Sequence, residues 1–138
     1  MPPDSRTSRH LVTYRDGEHI FRQGEPGEEM FIIQDGEVEI VFEGEDGDVI
    51  QLATLERGDF FGEMSLLESQ PRSATVRAVG PTKLLAIRSG ELLMKIRRDP
   101  TFAFELLQRM SGRIRVLDEE IARLSSQSGS QPQVKPLP

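Results

Sequence analysis

GEHIFRQGEPGEEMFIIQDGEVEIVF, residues 17–42, carries three short β-prone runs, HIF (19–21), MFII (30–33) and VEIVF (38–42), split by the turn signals QG (23–24) and DG (35–36). The same rhythm extends both ways: LVTY (11–14) and a DG (16–17) precede it, and VIQLAT, DFFG, ATVRAV and KLLAI follow, punctuated by DG (46–47), RG (57–58) and GP (80–81). Many short strands with recurrent turns predict an all-β sandwich or barrel, not alternating βαβ units, and a jelly-roll-like β-roll is the form expected over 11–88. Strict alternation in VEIVF places Val38, Ile40 and Phe42 on one face and Glu39 and Val41 on the other. Asp46-Gly47 supplies the positive φ that a tight hairpin needs. The acidic stretch EGEDGD (43–48) lacks the alternating ligands and closing glutamate of a calcium loop, so it reads as a solvated hairpin tip.

After Ser89 the period turns helical. Ser89 is a candidate cap for a helix carrying Leu92, Leu93 and Ile96, and Asp99-Pro100 ends that helix and starts another. In the final helix, Thr101 to about Ser125, Leu107, Ile114 and Ile121 fall at heptad position a and Met110, Leu117 and Leu124 at d, with Ala103 one step earlier on the seam. A parallel homodimer through this helix is the expectation, and it brings Arg113 at g opposite Asp118 at e of the other chain. The domain is expected to span 11–125, with helices over 89–125, between a flexible arm (1–10) and a disordered Ser/Gln/Pro-rich tail (126–138).

With 138 residues and a net charge of −6, the chain has room for one domain with an acidic surface, which argues against nucleic acid as a partner. No apolar run approaches a membrane span and the N terminus lacks the apolar core of a secretory signal, so a cytoplasmic, non-membrane protein is expected. There is no cysteine, and His10 and His19 are the only histidines, which leaves no donor set for a bound metal and no nucleophile paired with a base. The chain is therefore read as a non-enzyme with no cofactor.

The chemistry concentrates in FGEMSLLESQPRSATV, residues 61–76. Gly62 permits close backbone approach, and Glu63–Glu68 is long enough for one or two helical turns with free N–H groups. Arg72 offers a forked cation suited to phosphate oxygens, Pro71 stiffens the backbone before it, and Ser73 adds a hydroxyl and an amide. Glu63 would repel a phosphate unless it accepts from a neighbouring hydroxyl, a role the 2′-hydroxyl of a ribose fits. Arg72 is expected to be partly exposed, so that its replacement leaves the fold intact. Arg77 and Arg88 read as solvated charges on strand faces.

This stretch resembles the phosphate-binding cassette of the cyclic-nucleotide-binding domain family, which includes the catabolite activator protein, protein kinase A regulatory subunits and cyclic-nucleotide-gated channels. The similarity extends to residues 17–42 and to LATLERGDFFGE (52–63), and covers roughly 14–124. The resemblance implies a cyclic nucleotide as ligand, with Glu63 on the ribose 2′-hydroxyl, Arg72 on the cyclic phosphate, and the backbone of Gly62, Ser73 and Ala74 completing the cradle. Phe61, Met64, Ser65 and Val76 complete the expected ligand-binding set. Members preferring cGMP often carry threonine after the arginine; Ser73 stands here, which favours cAMP while its hydroxyl leaves cGMP open. Leu117 and Asp118 depart from the hydroxyl residues with which the catabolite activator reads adenine. The family's helical segment before the first strand has no counterpart in residues 1–10, and no effector domain is recognised, so the effector protein is unknown. The alternatives are a degenerate domain for a cyclic dinucleotide, a dimerisation module with a vestigial pocket and, least favoured, a cupin-type enzyme.

Overall fold

The computed structural model describes residues 10–128; the expected arm, apart from His10, and the tail beyond Ser128 lie outside the described residues. The chain divides into two compact units, one ending at Met94 and one beginning at Lys95. In the first unit the order is β1 (His10–Tyr14), β2 (His19–Phe21), β3 (Glu29–Glu43), β4 (Val49–Glu56), β5 (Phe60–Phe61), α1 (Glu63–Glu68) and β6 (Thr75–Arg88). α2 (Ser89–Arg98) starts in it, and α3 (Pro100–Ser128) belongs to the second unit. All pairings are antiparallel: the sheet runs β1-β6-β3-β4, with β2 also on β6 and β5 also on β3. The architecture is the sheet-rich β-roll with C-terminal helices that the strand rhythm predicts.

The expected breaks at Asp35-Gly36 and Gly80-Pro81 do not end strands. They face one another inside the two longest ones, where β3 and β6 pair as Asp35↔Lys83 and Glu37↔Val79 with register shifts between. Both strands therefore bend together, and the sheet rolls without losing its ladder. Gly36 has φ +95°, and a Cβ there would stand 2.5 Å from the Pro81 carbonyl oxygen and 2.8 Å from Thr82 Cα. The buried Thr82 hydroxyl donates across the same corner to the Glu37 carbonyl at 3.0 Å.

Phe31, Ile33, Val38, Phe61, Val76, Leu84 and Ala86 form the core, with Val12, Tyr14, Ile20, Phe21, Ile40 and Leu55 packed around it. The β3–β4 register shifts between Ile40 and Val41, where β4 has one residue too many, while β3 keeps its register with β6 as Ile40↔Val76 and Val41↔Thr75. At this end of β3 Val41 is 2% exposed and Phe42 40%. Gly47, at φ +81°, turns the β3–β4 hairpin, which Gly44 closes by donating to the Asp48 carbonyl at 2.8 Å. Arg77 is half-buried and ion-paired through Nε with Glu39, which also accepts from Gln51, so it is not the solvated charge expected; Arg88 is exposed.

In α2 Leu92 is buried and Leu93 exposed. Asp99 caps α3 by accepting from the Phe102 N–H, and the helix continues three residues past the expected Ser125. Along α3, Leu107, Ile114, Leu117, Ile121 and Leu124 are exposed, while Met110 is half-buried. Among the described residues no helix is long and apolar enough to cross a membrane, and no cluster of His, Asp and Glu could hold a metal ion.

The corner makes a direct prediction. Gly36→Ala combines a left-handed backbone with a clash against another strand and is expected to destabilise the fold by about 2–4 kcal/mol. Gly47→Ala, with a similar φ but no atom of the described residues within 4 Å of the new Cβ, should cost about 1 kcal/mol. Urea midpoints of the two variants test this, and equal midpoints would refute the corner's role.

Candidate functional site

The site grows from Gly62, whose φ of +82° turns the chain from β5 into α1. A Cβ at this position would lie 2.8 Å from an Arg72 guanidinium nitrogen and 3.1 Å from the Glu29 carbonyl oxygen, so the glycine is required for both conformation and space. α1 has no side-chain cap at its start, and it closes at Ser69, which adopts the left-handed region at φ 55°. Ser65 and Leu66 anchor the helix inward, whereas Met64 and Leu67 face outward.

Arg72 is 6% exposed, which corrects the expectation of a partly exposed arginine. Nη1 donates to the Glu29 carbonyl at 2.8 Å and to the Gly62 carbonyl at 3.1 Å. The guanidinium carbon lies 4.1 Å from the centre of the Phe21 ring. Gly27 leaves bare backbone against the guanidinium, since a Cβ there would overlap it. Arg72 thus joins both ends of the cassette to the start of β3. Among the described residues its Nε is a buried donor with no hydrogen-bond partner. Burial pulls the guanidinium pKa below its ordinary value, and the charges of Glu29 and Glu25 oppose that shift. Arginine nonetheless stays charged at any physiological pH, so the site holds a permanent, partly unsatisfied cation.

Beside it lies a cavity of about 280 Å³ walled by Tyr14, Phe21, Phe31, Gly27, Glu29 and Arg72, with Val12, Ile20, Glu25, Pro26 and Ala86 completing the lining. Of the expected site residues, only Arg72 is among the described residues that line this cavity. Gly62 contacts Arg72 directly. Glu63 is half-buried as the first residue of α1, and Ser73 is exposed while Ala74 is buried next to it. Phe61 and Val76 belong to the core, and Phe61 stacks on Phe31 at 5.2 Å. Phe21, Gly27 and Glu29 were not anticipated. For Gly27 and Glu29 the signal is the GEPGEE run (24–29), in which two glycines around a proline mark a backbone that another group must approach.

A profile of the cyclic nucleotide-binding domain matches residues 11–99. The chain belongs to this family. Over 114 residues it is 44% identical to a protein of Rhodopseudomonas palustris provisionally named a potassium channel protein, covering 81% of this chain and 27% of that one. It is 38% identical over 112 residues to the cyclic AMP receptor protein of Thermus thermophilus, covering 81% of this chain and 52% of that one. The chain thus spans between about a quarter and a half of these two relatives. Among solved structures, the Thermus thermophilus catabolite activator protein superposes with a TM-score of 0.74 at 37% identity, over 83% of this chain and 54% of that one. The regulatory domain of Toxoplasma gondii PKA with cAMP superposes with a TM-score of 0.59 at 27% identity, over 75% and 38%. The chain is therefore a cyclic-nucleotide-binding domain of the type found in the catabolite activator and in kinase regulatory subunits.

Two measurements follow from the geometry. Arg72→Leu strips two backbone carbonyls of their donor and removes a cation from an aromatic face, so it should lower stability by about 1–3 kcal/mol; an unchanged urea midpoint would contradict the burial described. Tyr14, the chain's single tyrosine, has its phenol raised above the ordinary value by burial first, then by Glu29 and Glu18. A phenol is neutral when protonated, so above pH ~10 the unfolded chain loses this proton before the folded one, and stability falls as pH rises through that value. Ultraviolet titration of folded and urea-unfolded protein checks the order, and identical curves would refute it.

Proposed function

We propose that this domain is a regulatory sensor of a cyclic mononucleotide, taking cAMP in preference to cGMP. The observation that carries the reading is the buried Arg72 guanidinium with its unpartnered Nε, set against Gly62 at the mouth of the cassette. A desolvated cation with a spare donor is costly by itself and is relieved by an anion that accepts from it. The cyclic phosphate is that anion. Glu63 then takes the ribose 2′-hydroxyl, and the backbone of Gly62, Ser73 and Ala74 closes the cradle, with Phe61, Met64, Ser65 and Val76 shaping it. The names of the relatives, a cyclic AMP receptor and a PKA regulatory domain with cAMP, support the choice of nucleotide, and Ser73 supports it from the sequence. The function is regulatory and not catalytic.

Binding acts by population shift: the ligand favours whichever arrangement of the cassette and C-terminal helices it fits best, by its differential affinity for them. Output passes through a homodimer built on the exposed α3 seam to an effector protein.

Calorimetry with cAMP, cGMP and cyclic di-GMP tests the reading. Heat is expected from cAMP, less affinity from cGMP and none from the dinucleotide; Arg72→Leu should abolish binding, and Glu63→Ala should weaken it about tenfold or more. No heat from either mononucleotide at millimolar concentration defeats it. Sedimentation of Leu117→Glu tests the assembly: the variant should be monomeric where the parent is a dimer, and an unchanged species removes the seam.

A further inference from the structure

The cassette arginine does not stand on a strand. β6 begins only at Thr75, so the sheet ladder does not hold the backbone of Arg72. What holds it is a turn that occurs twice in this chain. Arg15-Asp16-Gly17-Glu18 and Arg22-Gln23-Gly24-Glu25 share the pattern Arg-x-Gly-Glu seven residues apart. In each, the glutamate N–H donates to the arginine carbonyl at 3.1 Å, and the third-position glycine has φ of +82° or +86°. In each, the glutamate carboxylate reaches back to accept from the arginine N–H, at 2.6 Å in the first and 2.5 Å in the second. Each turn then grips one distant residue by a reciprocal pair of backbone bonds. The first grips Ala78: Gly17 N–H to its carbonyl and its N–H to the Glu18 carbonyl, both 2.8 Å. The second grips Arg72: Gly24 N–H to its carbonyl at 2.8 Å and its N–H to the Glu25 carbonyl at 2.9 Å.

We propose that the turn Arg22–Glu25 is the device that positions Arg72 for its anion, and that Glu25 is a positioning residue acting through the cap its carboxylate places on that turn. This rests on the reading of Arg72 as the phosphate-binding group. The duplication supplies the reasoning. An identical turn at 15–18 grips an alanine already inside β6, where the sheet also holds the chain; the turn at 22–25 grips a residue in a connection, whose side chain carries the function. The second turn is itself tethered: the Gln23 N–H donates to Thr75 Oγ1 at 2.9 Å, and its side-chain amide exchanges two bonds with the Glu43 backbone, at 2.7 and 3.0 Å. Glu25 and Arg72 also share the wall of the cavity, so the cap and the cation belong to one site. Without the carboxylate the Arg22 N–H loses its acceptor, the turn opens, and the two bonds that fix Arg72 open with it. A guanidinium displaced by a fraction of an ångström no longer aims its forked donors at a phosphate held by the cassette backbone.

The test uses the equivalent turn as its control. Amide hydrogen exchange and cAMP affinity are measured on the parent chain and on Glu25→Ala, Glu25→Gln and Glu18→Ala. Loss of one charged hydrogen bond predicts that Glu25→Ala speeds exchange at the Arg72 amide about tenfold, leaves Ala78 unchanged, and raises the cAMP Kd about tenfold. Glu18→Ala should do the converse at Ala78 and keep Kd within about twofold of the parent. Glu25→Gln keeps an oxygen that can accept from the Arg22 N–H and should stay within about threefold of the parent in both readouts. Unchanged exchange at Arg72 in Glu25→Ala overturns the proposal, and so does faster exchange with unchanged affinity. A Glu25→Gln variant that loses affinity while Arg72 stays protected also overturns it, because the carboxylate would then act by charge and not by position. If the parent binds no mononucleotide, the exchange pattern still decides whether the turn holds Arg72, and the failure falls on the sensor reading alone.

Discussion

A guanidinium withdrawn from water must be surrounded by groups that tolerate it, and much of this domain is arranged around that demand. Arg72 rests over Phe21, donates to two backbone carbonyls from different parts of the chain, and lies against a glycine that has no side chain to collide with it. Each of these neighbours is placed by a different element: Phe21 by β2, Glu29 by β3, Gly62 by the connection from β5 to α1. The cation is therefore a tie among strands distant in sequence, and among the described residues its buried Nε has no acceptor.

β3 lines the cavity at one end, through Glu29 and Phe31, pairs with β4 at the other, and bends between the two. The bend is made at Gly36 against Pro81 and Thr82, with a positive φ and a close approach that only glycine meets. The second irregularity is an extra residue in β4, opposite the step from Ile40 to Val41. Irregular strand geometry is thus the means by which a single antiparallel sheet encloses a site.

How far the primary structure reveals this differs from residue to residue. The hairpin at Asp46-Gly47 and the helical change of period after Ser89 are local signals, and each is found where the residues predict it, whereas the turn signals at Asp35-Gly36 and Gly80-Pro81 mark bends inside strands and not their ends. Val41 is buried and Phe42 exposed because burial at a strand end depends on what packs over each face, which periodicity in one segment cannot register. Arg77 reads as a surface charge until β3 brings Glu39 beside it. The Arg-x-Gly-Glu repeat is visible as letters, yet nothing in those letters says that one copy holds Ala78 and the other Arg72.

What the amino-acid order determined by itself was the kind of fold and the family, with Arg72 marked out inside one short motif, because these depend on spacing, turn chemistry and that motif. What only the tertiary structure decided was the environment of that residue: its burial, its aromatic and carbonyl partners, and the turn that holds its backbone. Apart from the Gly62 carbonyl, those come from chain segments more than 40 residues away, and the desolvation that defines a buried charge is a property of the atoms gathered around it, which no local pattern specifies.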